Sequence, residues 1–437
     1  MQLELWTCQR RIAGAISQHC VQLTNVGQKI SQGDALVNWK AIIAAAVISG
    51  TSAAAAADKK YGPGVTDIQI KLGQTSPYSG PASAYSVIAK AQLAYFKMIN
   101  DQGGINGRKV NLISIDDAYS PAKTVEQTRK LVEQEEVAAI LNPLGTPTGL
   151  SVRKYLNDKK VPQLFVGAGA TLWGDYEHFP FTIGFQASYQ AETAVYAKYV
   201  LTKKPDAKIA LFYQNDDAGK DYGNGFKKGL GPDNSKRMVV AEATYEPTDP
   251  TIDSQIVKLK ASGADVLFMH AIPKQAAQAI RKIGEIGWKP KMFFLAATST
   301  SITSVLKPAG FEYAKDIISS YSFKDPNDPQ WAGDKDVKDW AAFMKNYFPE
   351  GNIQDQLIVY GYVVAEATVQ VLMQCSDDLT GENIMRQAAS LDIALPMMLP
   401  GIKLKTSSTD YFPVEAMRLQ RFNGEVWELF GDVIGVE

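Results

Sequence analysis

Residues 68–121 read IQIKLGQTSPYSGPASAYSVIAKAQLAYFKMINDQGGINGRKVNLISIDDAYSP, a block that leaves little freedom in what the chain can fold into. Ile68, Ile70 and Leu72 alternate with Gln69, Lys71 and Gly73, the period-two pattern of a strand with one face more buried than the other. A loop rich in Ser, Gly and Pro follows. Val87, Ile88, Ala91, Ala94, Tyr95, Met98 and Ile99 then recur at three- and four-residue spacing, one face of a helix that Gly103 and Gly104 end. Strand, loop, helix and strand in this order make the unit of an open α/β sheet, whose small-molecule sites lie at loops leaving the carboxyl ends of strands.

The same alternation continues along the chain and predicts an α/β fold with parallel sheets flanked by helices. Pro121 stands at a first helical position, and VAAIL (137–141) and VPQLFV (161–166) read as strands. Each ends in a small-residue loop, NPLGTPTG from Asn142 and GAGATLWG from Gly167. Near residues 181–190 the register restarts: AETAVYAKYVL reads as a helix, KIALFYQNDDAG as strand and loop, and DYGNGFKKGL as the next helix. ADVLFMHAIP and KMFFLAATSTS supply two more strand-to-loop junctions before DIISSYSFKDPNDPQW, a return crossing. Helices are expected over 337–347 and 356–374, and the tail forms a hairpin around Asn423-Gly424.

Residues 1–57 read apart from this fold. The run AIIAAAVISGTSAAAAA (41–57) before Asp58, Lys59 and Lys60 has the pattern of a secretory h-region, with cleavage expected between Ala57 and Asp58. A buried helix or a membrane anchor is the competing reading, though a span wants about 20 strongly apolar residues. The stretch before the h-region is long for a leader, and translation is expected to begin nearer to it, at about Val37. Beyond residue 57 the chain keeps 41 Lys and Arg against 44 Asp and Glu, interspersed, so neither nucleic acid nor an anionic surface is expected as partner. Cys375 is the one cysteine past the leader, which excludes an internal disulfide there.

Enzyme chemistry finds no support in the motifs. Gly167, Gly169 and Gly174 miss the dinucleotide spacing, no Walker-type loop or G-x-S-x-G elbow occurs, and no His/Cys spacing suggests zinc. No catalytic residue, metal or cofactor is therefore expected. His178, in YEHFP, reads as a surface loop residue; His270, after VLFM, reads either as a satisfied polar residue at a strand end or as a ligand contact.

The order SPYSGPASAYS, NDQGGINGRKV and IDDAYSP resembles the periplasmic binding proteins of the branched-chain amino acid type, the ligand receptors of ABC importers. The resemblance implies a type I periplasmic binding fold, two Rossmann-like lobes joined by a three-crossing hinge. The leader would be residues 1–57, lobe 1 residues 64–185 plus 320–405, and lobe 2 residues 186–319 plus 406–437. It implies a periplasmic location, a small-molecule ligand and permease subunits in the inner membrane as partners. Some relatives carry a disulfide near the first lobe's loops, where Tyr119 and Leu144 stand here.

By the same resemblance the ligand contacts are Tyr85 from the first loop, Gly145 and Thr146 from the second, and Ala168, Gly169, Ala170 and Thr171 from the third. In that third loop backbone N–H groups and a hydroxyl would hold a carboxylate. Tyr222, His270 and Thr298 would face them from the second lobe. Amino acid binders of this family place a carboxylate near Thr298, yet 289–311 contains no acid. An uncompensated ammonium would be costly there. The expected ligand is accordingly a small organic carboxylate, with aromatic acids stacking on Tyr85, Trp173 and Tyr222. Branched-chain amino acid or amide binding, and a sensory module of the same fold, stay open.

Overall fold

The computed structural model describes residues 59–435; the leader and cleavage site expected from the sequence lie outside them. Two sheets organise these residues. The first is fully parallel: β1 (Gln69–Ser76), β2 (Lys109–Asp116), β3 (Ile140–Leu141), β4 (Gln163–Val166) and β5 (Thr182–Gly184), in spatial order 2-1-3-4-5. The second contains β6 (Ile209–Gln214), β7 (Val239–Tyr245), β8 (Val266–His270), β9 (Met292–Leu295) and β10 (Ile318–Tyr321), parallel in order 7-6-8-9-10. An antiparallel hairpin, β11 (Ala416–Phe422) and β12 (Trp427–Gly435), extends it, with Phe422 opposite Trp427 across the Asn423-Gly424 turn.

Both parallel parts repeat one topology, so each has a switch point between its first and third strands, where loops part and leave a crevice. The chain passes from the first sheet to the second between Gly184 and Tyr189, returns after Tyr321, and crosses again between Lys405 and Ala416. Six helices matter below: α1 (Ser86–Asp101), α2 (Thr146–Asp158), α3 (Tyr189–Lys203), α4 (Asp217–Leu230), α5 (Pro273–Glu285) and α6 (Gln356–Gln374). Among the described residues α6 is long and apolar enough to cross a membrane, but it lies in the core against α1, and a Cβ on Gly361 would sit 2.6 Å from the Ile88 carbonyl. Helices α3 and α4 meet just as closely, since a Cβ on Gly225 would fall 2.3 Å from Gln190 Cα.

Two local expectations are corrected. Ile68 is outside β1 and 74% exposed, because the buried alternation starts at Ile70 and the Ile68 carbonyl only receives the Lys109 N–H at the sheet margin. The strand expected over 137–141 shrinks to Ile140 and Leu141, ending at Asn142 with φ +45°. That left-handed turn is held by the Asn142 side chain, which donates to the Phe165 carbonyl (2.7 Å) and accepts from Gln92 (2.9 Å). Cys375 is free and buried, and burial pushes its thiol up to about 12.

Candidate functional site

Loops from the carboxyl ends of both sheets enclose a cavity of about 110 Å3. Tyr85 reaches it from the 3-10 turn Ser83–Tyr85 that opens α1, and its Oη donates to the Thr298 carbonyl of the opposite sheet (3.0 Å). Tyr119, at φ +59°, enters from the loop after β2 and accepts from Gln214 Nε2 (3.4 Å). Gly145, at φ +99°, turns the chain into α2 so that Thr146 is the first residue of that helix. The N-terminal N–H groups of a helix lack intrahelical partners and carry positive partial charge, so this wall favours an anion. Thr146 is 1% exposed and its Oγ1 finds no partner among the described residues.

The second sheet supplies His270 at the end of β8, Ala297 and Thr298 after β9, and Tyr189 and Glu192 from the first turn of α3. His270 Nδ1 and Thr298 Oγ1 are also buried without partners among the described residues. Burial pushes the imidazole down to about 3, so it is neutral and can donate or accept but carries no charge. The remaining wall comes from the return crossing and α6, with Tyr321, Phe323, Gln356 and Tyr360. Among the described residues no Lys or Arg lines the cavity.

Of the residues expected from sequence, Tyr85, Gly145, Thr146, His270 and Thr298 meet at this cavity. Ala168, Gly169, Ala170 and Thr171 do not line it. Gly169 packs against the crossing, where a Cβ would lie 2.3 Å from the Ala187 carbonyl. The donors of Thr171 are already occupied: its N–H and Oγ1 reach Asp221 Oδ2 at 2.7 and 2.8 Å, so a carboxylate of the protein holds what was expected to hold a ligand. Tyr222 is fully buried behind the wall, stacked on Tyr189 (3.9 Å between ring centres) and on His270 (4.4 Å), and therefore braces the site without lining it. Trp173 likewise packs in the core, against Gly149 and Gly184.

Glu192 is the consequential residue that sequence reasoning missed. Its Oε1 accepts from Tyr196 Oη (2.7 Å) and from the Ala297 N–H (2.8 Å), and its Oε2 accepts from Tyr222 Oη at 3.3 Å. An acid thus stands beside Thr298 after all, brought by a helix a hundred residues earlier. Burial raises its carboxyl to about 7, against the lowering effect of those three hydrogen bonds. A sequence signal existed: Glu192 shares a helix face with Tyr189, Tyr196 and Val200, where a charged residue is out of place.

A family model described as periplasmic binding protein matches residues 69–425. The chain belongs to the periplasmic binding protein family. A Leu/Ile/Val-binding protein homolog 3 from Brucella melitensis is 26% identical over 225 residues, covering 50% of this chain and 58% of that protein. Such relatives place this periplasmic binding protein in the branched-chain amino acid type, a kinship that leaves the solute open. A branched chain amino acid ABC transporter structure from Thermus thermophilus with bound valine superposes with TM-score 0.76 at 15% identity, over 85% of this chain and 97% of that one. A solute binding protein of an ABC transporter from R. palustris, in complex with 4-hydroxybenzoate, gives 0.71 at 16% identity, over 84% and 97%. These neighbours show the type I periplasmic binding fold. Membership in the family implies an extracytoplasmic location and a role in ligand binding for transport, not an enzyme class. Among the described residues no cluster of His, Cys, Asp or Glu could hold a metal.

The unpartnered hydroxyl of Thr146 gives a direct test of this cavity. Thr146→Val keeps the shape and removes a buried group that has no partner, so stability should stay level or rise. Ligand affinity should fall by roughly tenfold, the worth of about one hydrogen bond to a charged group. Titration calorimetry and thermal unfolding of the variant measure both; unchanged affinity would remove Thr146 from the site.

Proposed function

We propose that this periplasmic binding protein captures a small organic monocarboxylate, with single-ring aromatic acids as the best fit, and delivers it to an ABC permease in the inner membrane. The observation that carries the reading is the pairing of unfilled polar groups with aromatic walls. Thr146 Oγ1 at the start of α2 would receive the carboxylate, Tyr85, Tyr119 and Tyr189 would flank the ring, and His270 or Thr298 would bond a ring substituent. Ala168 to Thr171 and Tyr222 would support closure from outside the cavity, through Asp221 and the Tyr189 stack. A cavity of about 150 Å3 can house benzene, so one of this order suits a single ring or a short branched chain and not a long acyl chain.

The two sheets would act as lobes, divided at about residues 185, 320 and 405, that close over the ligand. Tyr85 to Thr298 and Tyr119 to Gln214 are the bonds that would form on closing. The carboxyl of Glu192 favours a second reading, in which it pairs with the ammonium of an amino acid.

Thermal shift with benzoate, 4-hydroxybenzoate, leucine, valine and leucinamide separates the two. A true ligand at a hundred times its Kd stabilises by about 2.7 kcal/mol, and the benzoates are expected to do so while leucine and valine do not. Strong stabilisation by leucine or valine with none from the benzoates overturns the proposal in favour of the second reading.

A further inference from the structure

Among the described residues Glu192 is the one Asp or Glu in the lining of a cavity that has no Lys or Arg, and the groups facing it offer no counter-charge. From its own helix come Tyr189 and Tyr196, from α4 Tyr222, from β8 His270, from the turn after β9 the Ala297 N–H and Thr298, from β10 Ser320 and Tyr321, and across the cavity Tyr85 and Tyr119. Every one is neutral at physiological pH. The Asp221 carboxylate is engaged by Thr171 and Gln190.

A second anion bound here would share with the Glu192 carboxylate a cavity of about 110 Å3 that has no Lys or Arg among its described lining residues. Two like charges sharing a dry site do not both stay ionised; one takes a proton. Resting on the carboxylate reading above, we propose that capture of a monoanionic ligand is coupled to uptake of one proton by Glu192. The protonated carboxyl keeps Oε1 as acceptor for Tyr196 and Ala297 and places the new O–H on Oε2, whose one partner is 3.3 Å away. That O–H can be given to the ligand or to the cavity wall, so the acid that would repel the ligand becomes a donor. Burial already holds this carboxyl at about 7, which makes uptake accessible at neutral pH. Affinity for a monoanion should then be level below about pH 7 and weaken toward tenfold per pH unit above it.

The test is calorimetry of the mature protein with 4-hydroxybenzoate, and with benzoate, at pH 7.5 in phosphate and in Tris. The two buffers differ in ionisation enthalpy, so proton uptake is read directly; Kd is followed from pH 6 to 8.5. Wild type should take up between about half and one proton and show the predicted slope, whereas Glu192→Gln should take up none and bind with a pH-independent Kd. Binding of either benzoate by the wild type with no proton uptake overturns the coupling and leaves the carboxylate reading intact. Proton release on binding leucine, with the benzoates inert, overturns both, as does the absence of binding by any monocarboxylate. The wild-type measurement decides even if the variant does not fold.

Discussion

Glu192→Ala should lower the stability of the protein by about 2–4 kcal/mol, because it removes the acceptor that Tyr196, Tyr222 and the Ala297 N–H share and leaves a buried cavity. Tyr196 Oη can turn to Ser320 Oγ at 3.0 Å and Tyr222 Oη lies beside the Thr298 side chain, but the part-buried Ala297 N–H loses its partner. Glu192→Gln retains an acceptor oxygen for Ala297 and Tyr196 and should cost little at pH 5. The sign reverses at higher pH. The folded carboxyl sits at about 7 against an ordinary 4.5, so the folded state holds its proton where the unfolded state has lost it. Stability from this group is complete below 4.5 and is lost as pH rises through 7, by about 3 kcal/mol at most. At pH 8 the Gln variant should therefore equal or exceed the wild type in urea midpoint. Asp355, raised to about 6, and Glu366, raised to about 8, titrate in the same window in both proteins, so the comparison between them isolates Glu192. Parallel stability–pH curves for the two would show that this carboxyl is not perturbed.

The other large effect is expected at Gly145. Its φ of +99° is a conformation that β-branched residues avoid, and a Cβ there would stand 2.5 Å from Tyr119 Cε2 and 2.9 Å from Thr148 Oγ1. Gly145→Val must move either the start of α2 or the Tyr119 ring, and both form the cavity wall. We expect a stability loss of about 2–4 kcal/mol and ligand affinity reduced by a hundredfold or more. Chemical denaturation and calorimetry give the two numbers. A variant that binds like the parent would show that the loop after β3 takes no part in the site.

The elements were legible because they depend on local periodicity. Helix α6 falls where its apolar residues predict, Pro121 opens its helix, and the Asn423-Gly424 hairpin closes as its turn chemistry requires. Tyr85, Gly145, Thr146, His270 and Thr298 meet at the cavity for a related reason: they stand at strand ends or in the loops that follow, and a parallel sheet delivers such loops to one edge. The third loop obeyed the same rule and still failed to reach the cavity. What it touches was set by Asp221, fifty residues onward, whose carboxylate takes the Thr171 donors.

The sequence by itself therefore determined the sheets, the family and the ends of strands at which a ligand can sit, since these follow from pattern over a few dozen residues. Only the tertiary structure decided which of those loops face the cavity and what charge stands there. The close approach of α3 and α4, permitted where Gly225 meets Gln190 and Gly229 meets Ala194, buries the first turn of α3 and carries Glu192 to the Ala297 N–H. A strand's register can be read from its neighbours in sequence. The depth of a carboxylate depends on how far two helices can approach, and that is fixed by contacts between residues far apart in the chain.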